Sequence, residues 1–317
     1  MGQILVAIDT DAGLTGYGVG GGGRAAIHIV QTVLRDTLIG QDIEPVESHW
    51  QAMYDATLPF GRKGVAIMAI SGVDLALWDL RGKAASRSIA EVLGGARHAS
   101  VPVYATVWDD LPEALIGQYA AFKIHLGNSD GDVRALHDRM AAIRARVGPG
   151  VGLAIDAWMK WDVPFTLRFA EAVAPLGIAW IEEPLPPDDL AGYAELARAS
   201  PIPIGGGEHE FTAAAFAELI ERRLHQVVQP DVCWCGGMTE LVKIYRFAQQ
   251  HGVQVCPHRG AEVWGLHAIA ALDAQPLAES GRPWMTWVGG QPEVRGGMIA
   301  LPKGPGFGAV IDESVFV

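Results

Sequence analysis

Ala154-Ile-Asp156, Trp180-Ile-Glu182, Gly206-Gly-Glu208, Val228-Gln-Pro-Asp231 and Val255-Cys-Pro-His258 are short apolar runs that each end in an ionisable residue, at intervals of 26, 26, 23 and 27 residues. Longer amphipathic stretches separate them, which is the pattern of βα units and a parallel sheet. In a parallel barrel every strand points the same way, so residues at successive strand C-termini converge on the face where barrel enzymes work. Open doubly wound sheets also bind ligands at strand C-termini, but five converging positions at near-constant spacing favour closure.

Outward from this core, the pattern predicts strands over 101–107, 121–125, 151–156, 177–182, 202–206, 226–231 and 254–258, with a weaker eighth at 277–279. Upstream, 3–9 and 15–19 read as a hairpin turning at Asp11-Ala-Gly13, and helical spacing follows over 24–38 and from 46 to about 93. The first hundred residues therefore form an α+β unit, and the Gly/Pro-rich chain past Ser280 reads as an irregular tail packing back on it. The expected division is 1–98 for this capping unit, 99–282 for the barrel and 283–317 for the tail. Gly16-Tyr-Gly-Val-Gly-Gly21 matches GxGxxG with Asp36 twenty residues on, but its glycines end a hairpin's second strand and 37–48 holds no convincing strand. A dinucleotide site needs both, so it is set aside.

With 24 Lys+Arg against 36 Asp+Glu, the 317 residues carry a formal net charge of −12, which argues against nucleic acid and anionic membrane as partners. Hydrophobic residues at 50% and charged ones at 19% suit a protein with a sizeable core rather than a disordered chain. The apolar runs are broken well short of the roughly 18 to 20 residues of a membrane span, and the start has no basic export signal. Cys233, Cys235 and Cys256 are three, an odd number, and read as ordinary thiols in a reducing cytoplasm.

Asp156, Glu182 and Glu208 bring three carboxylates together from consecutive strands, which is costly unless a cation neutralises them. A hard divalent ion such as Mg²⁺ suits an all-oxygen set and keeps positions for a bidentate substrate. Strand alternation would turn Glu183 to the opposite face, where it serves as a supporting hydrogen-bond partner. His258 and Asp231 end adjacent strands and pair as a dyad for general acid/base work. Lys123 and His125 lie two apart on one strand, so both point into the barrel, where a lysine needs an anion. Glu279, ending the weak eighth strand, returns to the same mouth as an acid or hydrogen-bond donor. His28, His49, His225 and His251 fall in helical or linker stretches and carry no assigned role.

These residues resemble the mandelate racemase branch of the enolase superfamily, in particular the L-rhamnonate dehydratases. Similar stretches are Met53-Tyr-Asp-Ala-Thr-Leu-Pro-Phe-Gly-Arg-Lys-Gly64, Met68-Ala-Ile-Ser-Gly-Val-Asp-Leu-Ala-Leu-Trp-Asp-Leu80, Trp180-Ile-Glu-Glu-Pro-Leu-Pro-Pro187, Gly207-Glu-His209, Gln229-Pro-Asp-Val-Cys-Trp-Cys-Gly-Gly237, Pro257-His258 and Gly304-Pro-Gly-Phe-Gly308. The resemblance implies a modified TIM barrel, (β/α)7β, with an α+β capping domain. It implies Asp156, Glu182 and Glu208 as Mg²⁺ ligands, His258 with Asp231 as the acid/base dyad, and Glu279 as hydrogen-bond donor to an enolate oxygen. His125, Arg62, His209 and Glu183 complete the expected substrate-binding set.

The implied chemistry is removal of the proton α to a carboxylate and loss of the 3-hydroxyl, giving a 2-keto-3-deoxy sugar acid. The alternative within the fold is racemisation or epimerisation, with Lys123 and His258 as bases on opposite faces. Lys-x-His at 123 to 125 departs from the Lys-x-Lys of racemase-like members and from the dehydratases. Relatives also carry some tens of residues ahead of the hairpin, including a specificity loop. That difference raises a reading of another class, a metal-binding barrel with little activity. A homo-oligomer, dimer or octamer, is the implied assembly.

Overall fold

The computed structural model describes residues 2–126, 132–280, 285 and 287–315. Strands β1 (Ile4–Asp9) and β2 (Thr15–Gly20) form the antiparallel hairpin, paired from Ile4–Gly20 to Asp9–Thr15. The helical run that follows consists of α1 (Gly23–Ile29), a π turn (Val30–Leu34) and α2 (Arg35–Leu38). After it come α3 (Val46–Thr57), α4 (Val65–Ala84) and the short α5 (Ile89–Val92), whose Ser88 and Glu91 make a capping box.

Helix α4 is apolar on nearly every side and buried almost throughout, because it lies between the hairpin and the barrel. The glycines that mimic a nucleotide fingerprint belong to this packing. Gly16, Gly18 and Gly20 share one face of β2, and a Cβ on them would lie 2.2, 2.1 and 2.3 Å from the carbonyl oxygens of Ala76, Gly72 and Met68. Two strand residues advance about 6.8 Å and four helical residues about 6 Å, so the two rows stay in step. Gly18→Ala is expected to cost about 3 kcal/mol in denaturant unfolding, since its Cβ meets backbone that cannot yield. Gly150→Ala, whose Cβ meets nothing within 4 Å, should leave the midpoint unchanged. Equal midpoints for the two variants would contradict the packing argument.

Two buried aspartates of α4 tie the units together. Asp74 accepts from Thr239 N (3.0 Å) and Thr239 Oγ1 (2.6 Å), and Asp79 accepts from Tyr17 N (3.0 Å) and Phe307 N (3.1 Å).

The barrel strands are β3 (Ser100–Trp108), β4 (Ala121–His125), β5 (Gly152–Asp156), β6 (Ile178–Glu182), β7 (Ile204–Gly206), β8 (Val227–Val228), β9 (Gln254–Val255) and β10 (Ala278–Ser280). Neighbours from β3 to β9 pair in parallel in chain order, and β10 pairs in parallel with β3. Between β9 and β10 the ring is bridged by Ala261 N donating to Glu279 O at 2.8 Å. Helices α6 (Val133–Val147), α7 (Val163–Val173), α8 (Leu190–Ala199), α9 (Thr212–Glu221), α10 (Gly237–His251) and α11 (Val263–Leu272) fill the later crossovers, while the first holds a single 3-10 turn, Glu113–Leu115. The main core lies between strands and helices; a separate cluster of Tyr104, Ala154, Trp180, Val227 and Cys256 fills the barrel interior.

The expected strands over 226–231 and 254–258 are cut to two residues each. Pro230 and Pro257 follow closely, and a proline has no N–H to give the ladder. Asp231 and His258 therefore stand on the loops beyond the strand ends, joined by His258 N donating to Pro230 O at 3.2 Å.

The tail is less irregular than its composition suggests. β11 (Val288–Gly289) pairs with β14 (Val310–Ile311), β12 (Val294–Arg295) pairs with β13 (Met298–Ala300), and β13 adds antiparallel to the edge of β3. Phe307 is buried against Trp264, and Gly306 exchanges backbone bonds with Ile89 and Arg87 in the capping unit. The expected boundary at 282/283 lies outside the described residues.

Candidate active site

Strand register sets the site. Cα pairing runs from Trp108 to His125, from His125 to Asp156 and from Asp156 to Glu182, so these four side chains stand at one level around the C-terminal mouth. Glu208 follows two residues beyond β7, and the structure buries all three predicted ligands, leaving Asp156 6%, Glu182 1% and Glu208 8% exposed. Burial pushes each carboxyl up to about 7, opposed by Lys123 at Asp156 and Glu182 and by His258 at Glu208.

Lys123 is buried to 1% and points inward, as its strand position predicts. Its Nζ lies 2.5 Å from Glu182 Oε1 and 3.0 Å from Glu279 Oε1. Burial disfavours its charge, but those two carboxylates prevail and hold it as an ammonium well above the ordinary lysine range. Lys123→Met should cost about 3–5 kcal/mol in denaturant unfolding, because it leaves two buried carboxylates without their counter-ion. A loss below about 1 kcal/mol, the value of a surface pair, would contradict this assignment.

His258 Nδ1 lies 2.9 Å from Asp231 Oδ2, and its Nε2 lies 3.0 Å from Glu208 Oε2. The Nδ1 contact fixes that nitrogen as the N–H donor and turns Nε2 to the carboxylate cluster. Burial lowers the basicity of His258, yet Glu208, Glu279 and Asp231 outweigh it and raise the imidazole to about 10. Asp231 stays below the ordinary carboxylate range despite burial, held by Arg259 (Nη2 at 3.2 Å) and His258. Glu279 accepts from Thr106 Oγ1 and from Arg259 N (2.9 Å). Burial would raise its carboxyl, but Lys123 and His258 bring it down to about 2.

Glu183 corrects a strand-based expectation. Its φ of 38° is left-handed, which ends the alternation after Glu182 and turns the side chain to the same mouth. There it meets His209 Nδ1 at 2.7 Å, and His209 stands 3.6 Å from Glu208 Oε1. His125 Nε2 lies 3.9 Å from Asp156 Oδ2. Arg62 is exposed and makes no hydrogen bond or ion pair with the cluster among the described residues. Its neighbour Lys63 bridges instead to Glu210 (3.1 Å) and Asp188 (3.6 Å), fastening the capping loop to the barrel mouth.

The donor set fits a hard divalent cation in its chemistry, since three buried carboxylates carry more negative charge than Lys123 and His258 offset. In the arrangement described, Glu182 is drawn to Lys123, Trp180 Nε1 (3.3 Å) and Gln229 Nε2, and Glu208 to His258. Among the described residues the trio whose ligand atoms all lie within 4.8 Å is Glu183, Glu208 and His209.

Arg259, Thr106, Trp180 and Gln229 were not singled out in the sequence. Trp180 lies two before Glu182 and shares its inward face by strand alternation, so that signal was present. Thr106 is set by its pairing with Lys123, which no local pattern reveals.

The comparisons with known proteins agree with this fold. The chain matches the mandelate racemase / muconate lactonizing enzyme N-terminal domain family over residues 2–94 and the enolase C-terminal domain-like family over residues 109–315. It is 36% identical to an L-rhamnonate dehydratase of Saccharopolyspora erythraea, over 99% of this chain and 84% of that protein. A crystal structure of a racemase from Streptomyces coelicolor with bound magnesium superposes with a TM-score of 0.91 at 34% identity, over 98% of this chain and 90% of that one. The L-rhamnonate dehydratase structure from Gibberella zeae also gives 0.91, at 30% identity over 99% and 84%. The family matches together span most of the chain, and it belongs to the mandelate racemase / muconate lactonizing enzyme family of the enolase superfamily.

Proposed function

We propose that this protein is a Mg²⁺-dependent sugar acid dehydratase, similar to L-rhamnonate dehydratase, that converts a 2,3-dihydroxy acid to its 2-keto-3-deoxy product. The observation that carries the reading is the His258–Asp231 dyad, whose Nε2 faces a buried carboxylate cluster. Asp156, Glu182 and Glu208 would hold the cation, which supplies Lewis-acid stabilisation to negative charge developing on the substrate carboxylate.

His258 Nε2 takes the C2 proton, with Asp231 fixing the imidazole ring and stabilising its cationic form. The same nitrogen returns that proton to the departing 3-hydroxyl, which leaves as water, and the enol product tautomerises to the ketone. Were Glu208 to hold the cation, its charge would press less on His258, and Nε2 would be available for this cycle. Arg259 N and Lys123 orient Glu279, and Lys123 itself stays protonated.

Epimerisation would need a second base, and the ion pairs of Lys123 with Glu182 and Glu279 weigh against Lys123 in that part. With the dehydratase reading go a small-molecule sugar acid as partner, a homo-oligomer and a cytoplasmic location. No helix among the described residues is long and apolar enough to cross a membrane. The test is incubation with Mg²⁺ and a panel of sugar acids, detecting 2-keto-3-deoxy products as semicarbazones. Product from one or a few acids supports the proposal; none from any acid, with Mg²⁺ binding confirmed, contradicts it.

A further inference from the structure

We infer that Trp108, His125 and Trp158 form a stacking wall for the C–H face of the substrate, which makes aldonates with one carboxylate, rather than sugar diacids, the preferred class; this rests on the sugar-acid reading above. Trp108 and His125 are Cα partners on β3 and β4, and their rings lie 5.9 Å apart with 28° between planes. Trp158 continues the row at 6.2 Å from His125. The row borders the carboxylate cluster directly, because His125 is also the Cα partner of Asp156.

Trp158 is open where other tryptophans are covered. It is 40% exposed, whereas Trp50, Trp78, Trp161, Trp180 and Trp264 are buried. The backbone goes to unusual lengths to place it there, since Trp158 and Met159 are successive left-handed residues at φ 46° and 61°. Such conformations cost energy for side-chain-bearing residues and persist only where surrounding bonds over-determine them. Those bonds are present: Trp158 N donates to Asp156 Oδ1 (2.9 Å), Met159 N to Glu183 O (2.6 Å) and Trp161 N to Pro184 O (3.0 Å). The loop is thus pinned to a predicted metal ligand and to the backbone that follows another.

An aromatic face is negative at its centre and favours the polarised C–H bonds of a sugar or a terminal methyl group, but it repels a second carboxylate. Lys160 Nζ lies 5.5 Å over the Trp158 ring and is the group such a carboxylate would seek.

The experiment is steady-state turnover with Mg²⁺ of L-rhamnonate, a monoacid ending in a methyl group, and of galactarate, a diacid. It uses the unaltered protein and its Trp158→Ala, Trp158→Leu, Trp158→Phe and Lys160→Ala variants. Loss of the ring in either the alanine or the leucine variant should raise KM for L-rhamnonate about tenfold with kcat within about threefold, and phenylalanine should restore it. Lys160→Ala should leave L-rhamnonate KM within about twofold. An unchanged KM in a folded alanine or leucine variant, or galactarate turned over in preference through Lys160, overturns the inference alone. Absence of turnover of any sugar acid by the unaltered protein overturns the dehydratase reading and this inference with it.

Discussion

His258→Asn lowers turnover about a thousandfold or more while leaving the protein folded, because it removes the nitrogen that both takes and returns the proton. The shorter amide side chain would still reach toward Asp231, and Arg259 Nη2 remains 3.2 Å from the same carboxylate, so Asp231 keeps a counter-charge. The size of the effect follows from one group serving two steps: losing it removes the base for the C2 proton and the acid for the leaving hydroxyl together. The checks are kcat on the substrate that the sugar acid panel identifies and a thermal melt on the same preparation. Retention of more than about a tenth of the activity would contradict the role, because a positioned acid/base group contributes at least ~100-fold.

Glu208→Gln removes most of the stabilisation that Mg²⁺ gives the unaltered protein. A ligand that binds only the folded state adds about 4 kcal/mol at a thousand times its Kd. Removing one of three anionic donors should weaken Mg²⁺ binding about a hundredfold or more and flatten the dependence of melting temperature on Mg²⁺. Burial and neighbouring carboxylates hold the Asp156, Glu182 and Glu208 carboxyls up at about 7, and a bound cation would favour their ionised forms. Chelation with EDTA should remove both stabilisation and activity from the unaltered protein, and added Mg²⁺ should restore them. A melting curve for the unaltered protein that ignores Mg²⁺ would contradict the ligand assignment. If Glu183→Gln rather than Glu182→Gln abolished the response, the cation would belong to the trio of Glu183, Glu208 and His209.

Much of this architecture is legible because parallel strands repeat a simple local rule. Asp156 and Glu182 stand at the last position of strands whose alternation is visible residue by residue, and their register partners each other in the structure. Lys123 reads as inward-facing by the same rule, but its partnership with Glu279, 156 residues further on, depends on β10 closing against β3. Local pattern fails where the backbone leaves the strand. Glu183 turns back to the mouth through a left-handed φ that no neighbour announces. Pro230 and Pro257 end their strands early, although the apolar run before each has the pattern of a longer strand. Arg62 has the right sequence neighbourhood, yet it is Lys63 that reaches the barrel, because a loop residue's direction is set by tertiary contacts. Gly16, Gly18 and Gly20 carry a nucleotide-like motif, but their hairpin context makes them a packing strip against α4.

Proton NMR of L-rhamnonate incubated with the protein and Mg²⁺ in ²H₂O tests the central claim most directly. The account predicts loss of the C2 proton signal together with formation of a 2-keto-3-deoxy acid carrying solvent deuterium at C3. Exchange at C2 with the 3-hydroxyl retained would contradict dehydration and place the protein among the racemases and epimerases of its family.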